Sequence, residues 1–360
     1  MTYSTRKSLY QKIETIRKRP LLVYVTSSRM DHGGVIGADV IPEFCSQISV
    51  IPKENKKIDL LIVSNGGDPT TAWRIMSLLR NRFKDIAILL PYQAYSAATL
   101  MALGADKIYM HPYSNLGPVD PQLRGVNKAG RYHEFSADII THYINFVKDE
   151  LHIENRLNAD DKEALMKSIS QLCEEVTPLD IGTAQKSTRL SISLGEKLLR
   201  THMKEEEQIK NIAQWLTKSY YHHGYSIGRD EARAMGLPVC KPNSELENIL
   251  WEIWLDFEEE MQCRDPYFPL KTALEQPEFR KAFSLPEKDR YTKEDYDYVL
   301  RKIPQGVTSV VHTLIHASLE STRMGSAYES VNNLTIRRLP DLNLQYAEEQ
   351  IYSSWNRKET

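Results

Sequence analysis

Two apolar runs about thirty residues apart set the strongest limit on how this chain folds. Leu60-Leu61-Ile62-Val63 runs at once into Ser64-Asn65-Gly66-Gly67-Asp68-Pro69. Ile86–Leu90 runs through Pro91-Tyr92-Gln93-Ala94-Tyr95 into Ser96-Ala97-Ala98-Thr99-Leu100. Each run reads as a strand that stops in small residues and gives way to a helical pattern. Adjacent glycines after a strand leave backbone N–H groups bare and open to close approach by a ligand. A serine among small residues at the end of the next strand is presented at the mouth of a sheet. A nucleophile with an oxyanion hole needs that pairing of parts.

The same alternation extends on both sides. Residues 3–18 space Leu9, Ile13 and Ile16 as a leading helix, and Pro20–Val25 is rich in β-formers. Residues 39–51 read as helix, Ile58–Val63 as strand, Pro69–Phe83 as helix, Ile86–Leu90 as strand, Ser96–Gly104 as a short helix and Lys107–Met110 as strand. Strands alternating with helices imply βαβ units and a mostly parallel α/β sheet. Continuous apolar strands fit a sheet covered on both faces. From about residue 136 the pattern turns helical, at 137–151, 160–175 and 181–221, with a glycine-ended closing helix and a short strand over 224–239. Residues 244–262 form an amphipathic helix whose stripe is Leu246, Ile249, Leu250, Ile253, Trp254, Phe257 and Met261. Residues 264–305 are polar and carry prolines. Residues 308–357 read as a helix mixed with β-like runs at Asn333–Arg338 and Leu342–Tyr346. The expected division is an N-terminal helix (1–19), a catalytic-type α/β domain (20–240) and a mostly helical C-terminal extension (241–360).

Composition narrows the function classes. A net charge of −2 with 26% charged residues gives no basic field for nucleic acid or anionic membranes. The four cysteines, Cys45, Cys173, Cys240 and Cys263, are scattered without C-x-x-C spacing, as expected of reduced thiols. No apolar h-region follows Met1 and no stretch approaches eighteen uninterrupted apolar residues, so a soluble, cytoplasmic protein without a membrane span is expected. Asp31-His32-Gly33-Gly34-Val35-Ile36-Gly37 lacks the lysine and hydroxyl ending of a phosphate-binding loop and reads as a flexible loop. Adjacent His222 and His223 cannot both reach one metal from one helix face, so no metal and no cofactor are expected.

The order strand–Asn65-Gly66-Gly67, helix, strand–Tyr95-Ser96-Ala97-Ala98, helix, Gly104-Ala105-Asp106-Lys107-Ile108-Tyr109-Met110 and Leu116-Gly117-Pro118-Val119-Asp120-Pro121-Gln122 resembles Clp-fold serine peptidases. Within them it is most similar to the serine dehydrogenase proteinase family, relatives of the signal peptide peptidase A group. The 116–122 string is the most specific part, and the likeness fades beyond about residue 240. The resemblance implies a crotonase-like spiral of ββα units, assembly into homo-oligomeric rings, and hydrolysis of peptides or unfolded segments without ATP.

It also implies residue roles. Ser96 occupies the nucleophile position, although a helix N-cap serine is the ordinary reading of the residue alone. Gly66 and Gly67, helped by the Ala97 amide, become the oxyanion donors, although Asn-Gly-Gly is also a turn signal. The histidine that Clp protease places after its serine is missing from the 116–122 string, and His111 reads as a turn residue. The signal peptide peptidase relatives use a lysine, which serves only when neutral. Lys148, beside the apolar face Ile140, Tyr143, Ile144, Val147 and Leu151, is ranked first for partial burial. Lys186 and His223 are the alternatives. Asp120 either orients a catalytic group or braces its turn. Three functions stay open: a Ser–Lys peptidase, a catalytically silent Clp-fold peptide-binding or scaffold protein, and a crotonase-type acyl-thioester enzyme. The stripe containing Trp254 and Phe257 is a candidate interface between copies, or else packs on its own domain.

Overall fold

The computed structural model describes residues 3–126, 132–136, 139–150, 159–218, 224–285, 288, 292–303, 306–341 and 343–358. The chain opens with helix α1 (Tyr3–Arg17) and strand β1 (Leu21–Thr26), then α2 (Ile41–Ser49), β2 (Lys57–Val63), α3 (Pro69–Arg82) and β3 (Asp85–Leu90). Short β4 (Gln93–Ala94) precedes α4 (Ala97–Leu103), β5 (Lys107–Met110) and β6 (Asn115–Leu116). A hairpin of β7 (Gln122–Val126) and β8 (Tyr132–Ser136) leads into α5 (Ile139–Glu150), α6 (Ala159–Glu175), α7 (Pro178–Leu199) and α8 (Glu206–Lys218). Next come β9 (Ile227–Gly228), α9 (Arg229–Ala234), β10 (Val239–Cys240) and α10 (Ser244–Glu260). The chain closes with α11 (Pro269–Glu275), α12 (Pro277–Ala282), α13 (Lys293–Lys302), β11 (Gly306–Glu320), β12 (Gly325–Arg338) and β13 (Leu344–Arg357).

The central sheet runs β10-β5-β3-β2-β1-β11-β12-β13. The first five strands are mutually parallel, and β11, β12 and β13 add on antiparallel. This is the mixed α/β fold with a large parallel sheet that the alternating pattern predicts. The continuous apolar strands serve two layers because successive side chains point to opposite faces. Leu22, Tyr24, Leu60, Ile62, Ile86 and Ile88 face the core built with α2, α3, α4, α7 and α8. Leu21, Val23, Val25, Leu61, Val63 and Leu89 face a second core made with α1 and α10. Helices α1 and α10, more than two hundred residues apart in sequence, therefore share one core with the central strands.

Three expectations are corrected. The helix read into residues 308–357 is absent, because that stretch forms the long strands β11, β12 and β13. Its period-two burial (Val310, His312, Leu314) shifts register between Ile315 and Ala317, which blurs the strand signal. The long helix over 181–221 is two helices, α7 and α8, joined by a turn where the His202 ring lies 2.8 Å from the Leu103 carbonyl oxygen. The α10 stripe is not an open face: Trp254 is 1% and Phe257 0% exposed, packed on the chain's own strands. Among the described residues, no helix is long and apolar enough to cross a membrane.

Candidate active site

Parallel strands that each lead into a helix bring their C-terminal ends to one edge, where open α/β sheets bind ligands. Here the edge gathers the turn after β2, the start of α4 and the segment after β6. Ser96 joins β4 to α4 with φ 51° and ψ −115°, a conformation that non-glycine residues rarely adopt. A strained strand-to-helix turn of this kind lifts a serine hydroxyl clear of the sheet. The Ser96 N–H donates to Pro118 O at 3.2 Å, and Ser96 O accepts from Leu100 N at 3.1 Å. The N-cap reading fails for the side chain, since Ser96 makes no side-chain cap hydrogen bond. The 116–122 string wraps this junction: Thr99 Oγ1 donates to Ala94 O and Gly117 O at 2.7 and 2.9 Å, and Val119 N–H donates to Leu216 O at 2.8 Å.

The glycine turn sits directly against the serine. A Cβ on Gly66 would lie 2.8 Å from the Ser96 Cβ and 2.7 Å from the Tyr95 carbonyl oxygen, so only glycine fits. Gly66 and Gly67 have φ of 107° and 147°. Thr26 Oγ1 donates to Ser64 Oγ at 2.8 Å, and that oxygen accepts the Gly66 N–H at 3.0 Å. The Gly66 amide is thus engaged by Ser64, and the missing side chain makes room for Ser96. Ile36 brackets the next residue: its N–H donates to Gly66 O, and its carbonyl accepts the Asp68 N–H, both at 2.8 Å. Between these bonds, the Gly67 N–H has no hydrogen-bond partner among the described residues, and neither has the Ala97 N–H at the first turn of α4. Asp68 caps α3 by accepting from Thr70 and Thr71 N–H, each at 3.0 Å. Burial opposes its ionisation, but the Thr71 and Thr70 hydrogen bonds outweigh it and hold the carboxyl below its ordinary value.

A cavity of about 560 Å³ opens over this edge. Ser96, Gly67, Asn65 and Pro69 are among the residues that line it. Val119, Pro121, Gln122 and Leu123 from the segment after β6, with Val35, Leu190, Ser187 and Ser191, complete the lining. The structure thus brings Ser96, Gly67 and the start of α4 together. It does not bring Lys148 or Lys186 into the lining. Lys148 on α5 is exposed, against the partial burial expected for it, and Lys186 on α7 is exposed one residue before Ser187. His222 and His223 lie outside the described residues. His111 packs as a turn residue: its ring stacks on Trp251 at 5.2 Å, its Nδ1 accepts from Tyr113 N–H, and burial lowers its pKa. Buried Asp120 accepts from Gln122 Nε2 at 2.7 Å. Among the described residues, no three His, Cys, Asp or Glu side chains converge as metal ligands.

The Ile36 bracket was missed in the sequence. Residues 31–37 read as flexible, yet Ile36 is fully buried and paired on both sides of Gly67. The available signal was Gly33-Gly34 ahead of a lone apolar Val35-Ile36 pair, which suits close backbone contact as well as flexibility.

Comparison with known proteins bears out the resemblance. Residues 40–135, which include the glycine turn and Ser96, match the family described as ClpP-like SDH-type serine proteinase. An uncharacterized protein of Methanocaldococcus jannaschii is 28% identical over 249 residues, 67% of this chain and 76% of its own length. A second uncharacterized protein of the same organism is 24% identical over 200 residues, 56% of each chain. Among solved structures, a mutant of the 1510-N membrane-bound stomatin-specific protease is similar at 18% identity. The TM-score is 0.37, over 64% of this chain and 84% of that one. The family match supports the serine peptidase class.

Proposed function

We propose that this protein hydrolyses peptide bonds with Ser96 as nucleophile and the N–H groups of Gly67 and Ala97 as oxyanion donors. The observation that carries the reading is Ser96 at φ 51°, pressed against Gly66, with those two amides unpaired among the described residues. In the reaction, Ser96 Oγ adds to the scissile carbonyl carbon and its proton passes to a general base. The carbonyl oxygen becomes an oxyanion between the two amides. The base returns the proton to the departing amine, and water repeats the sequence on the acyl-enzyme. Donors aimed at the developing charge are worth roughly 3–4 kcal/mol each where one has been removed. The apolar cavity walls suit an extended peptide or unfolded segment, with no nucleotide required.

Lys148 remains the first candidate for the base, with Lys186 and His223 behind it. A lysine base works only when neutral, so hydrolysis should rise with pH to a mildly alkaline optimum. Casein and peptide cleavage by wild type, Lys148→Met, Lys186→Met and His223→Gln identifies the base as the variant that falls to the level of Ser96→Ala. One observation favours a second reading, a catalytically silent Clp-fold binding protein: both lysines are exposed and neither lines the cavity. Absence of cleavage by wild type and Ser96→Ala alike would select that second reading.

A further inference from the structure

The loop that carries Ile36 to the glycine turn is itself held from the far end of the chain. Ser27 N–H donates to His316 O at 2.8 Å, and a Cβ on Gly34 would lie only 1.8 Å from that same oxygen. The His316 ring is itself anchored on β12, its Nε2 2.7 Å from Ser330 Oγ. Farther out, the His32 ring stacks on Tyr267 with centroids 3.9 Å apart. Glu348 on β13 then reaches two rings at once: Oε2 lies 3.4 Å from His32 Nε2 and Oε1 lies 2.9 Å from His312 Nε2. The Glu348 side chain is only 23% exposed although its strand is the outermost of the sheet.

This loop would otherwise wander. It contains adjacent glycines and Asp31 at φ 66°, so its own backbone preferences leave many paths open. Gly67 has no side chain to anchor it, and two hydrogen bonds to Ile36 set the direction of its amide. We propose that Glu348, gripping His32, is a positioning residue for the oxyanion hole: the C-terminal strands fix loop 27–37, and the loop fixes Gly67. The proposal rests on the reading of Gly67 as an oxyanion donor. Displacing a catalytic donor by about 1 Å can lower turnover by up to about a hundredfold.

The test uses the full chain with Glu348→Ala, His32→Ala and the conservative Glu348→Gln, which keeps an oxygen for His32. Amide hydrogen exchange is followed at Ile36 and Asp68, with Leu60–Ile62 of β2 as the internal control, beside kcat and KM for a peptide. The expected result is exchange at Ile36 and Asp68 faster by about tenfold in both alanine variants, with β2 unchanged. Turnover should fall by about tenfold with KM nearly constant, as for an interaction used in the transition state. Glu348→Gln should stay near wild type in both. Unchanged exchange at Ile36 and Asp68, or equal acceleration in β2, would overturn the proposal. If wild type cleaves no peptide, the peptidase reading fails while the exchange data still decide whether Glu348 holds the loop.

Discussion

The two halves of the central sheet are built from different strands and do different work. Strands β10, β5, β3, β2 and β1 are parallel and short, the longest spanning the seven residues Lys57–Val63. Strands β11, β12 and β13 are antiparallel, with 15, 14 and 14 residues. In the first half β2 leads through a turn into α3, and β3 leads through the short β4 into α4, so Ser64–Gly67 and Ser96 are brought to one edge. Antiparallel strands return through tight connections and gather no such edge. What they add is a buried anchor. Arg6 of α1 bonds Glu320 of β11 at 2.7 and 3.0 Å and also pairs with Asp256 of α10, while Tyr10 donates to the same Glu320. The parallel half holds the proposed site, and the antiparallel half ties both ends of the chain to it.

Substitutions on each side should separate these roles. The largest effect is expected for Ser96→Ala, which removes the proposed nucleophile from the parallel half. Turnover should fall by about 10⁴ to 10⁶ with the thermal midpoint nearly unchanged, read by peptide hydrolysis beside calorimetry. An equal loss of stability would make Ser96 a structural residue. On the antiparallel side, Arg6→Met takes the guanidinium away from buried Glu320 and Asp256, leaving Lys358 as the cation paired with Glu320. Denaturant unfolding should report about 3–5 kcal/mol of lost stability. The folded fraction should keep its hydrolytic rate.

Gly66→Ala comes next. Its methyl group would push on Tyr95 O and the Ser96 Cβ, so turnover should drop by about 10² to 10³, as for loss of one oxyanion donor. Acid titration then sharpens the comparison. Burial works against the Glu320 charge, but the Arg6 hydrogen bond, with Lys358 and Tyr10, holds its pKa at about 2 against an ordinary 4.5. A depressed folded-state pKa contributes stability in full above the unfolded value, lost as pH falls from 4.5 toward 2. Glu320→Gln should flatten that limb of the stability curve. The smallest effect belongs to Val311→Ser on the outer ribbon, where the residue is 51% exposed. It should stay within about 0.5 kcal/mol of wild type.

How far the sequence reveals this arrangement follows the same divide. Leu60–Val63 and Ile86–Leu90 announce buried parallel strands because they are apolar without interruption and stop in small residues. Gly66, Gly67 and Ser96 are legible for the same reason, since few residue types tolerate such turns. The strands β11–β13 are harder to see, because one side of the ribbon is solvated and the Ile315–Ala317 shift breaks the alternation. The Ile36 bracket was invisible for another reason. Its partners Gly66 and Asp68 lie about thirty residues away, and the groups that hold its loop, Tyr267, His316 and Glu348, lie more than two hundred residues away. Nor does local spacing reveal that the Gly66 amide is taken by Ser64, a bond that depends on Thr26 from the neighbouring strand.

The most direct measurement is labelling by a fluorophosphonate, which bonds covalently to an activated serine and requires no knowledge of the natural peptide. The account predicts one adduct per chain, mapped by mass spectrometry to the peptide containing Ser96. It should be absent from Ser96→Ala and much slower in Gly66→Ala. Labelling that persists in Ser96→Ala, or an intact wild-type chain that never reacts, would contradict the claim that Ser96 is an armed nucleophile.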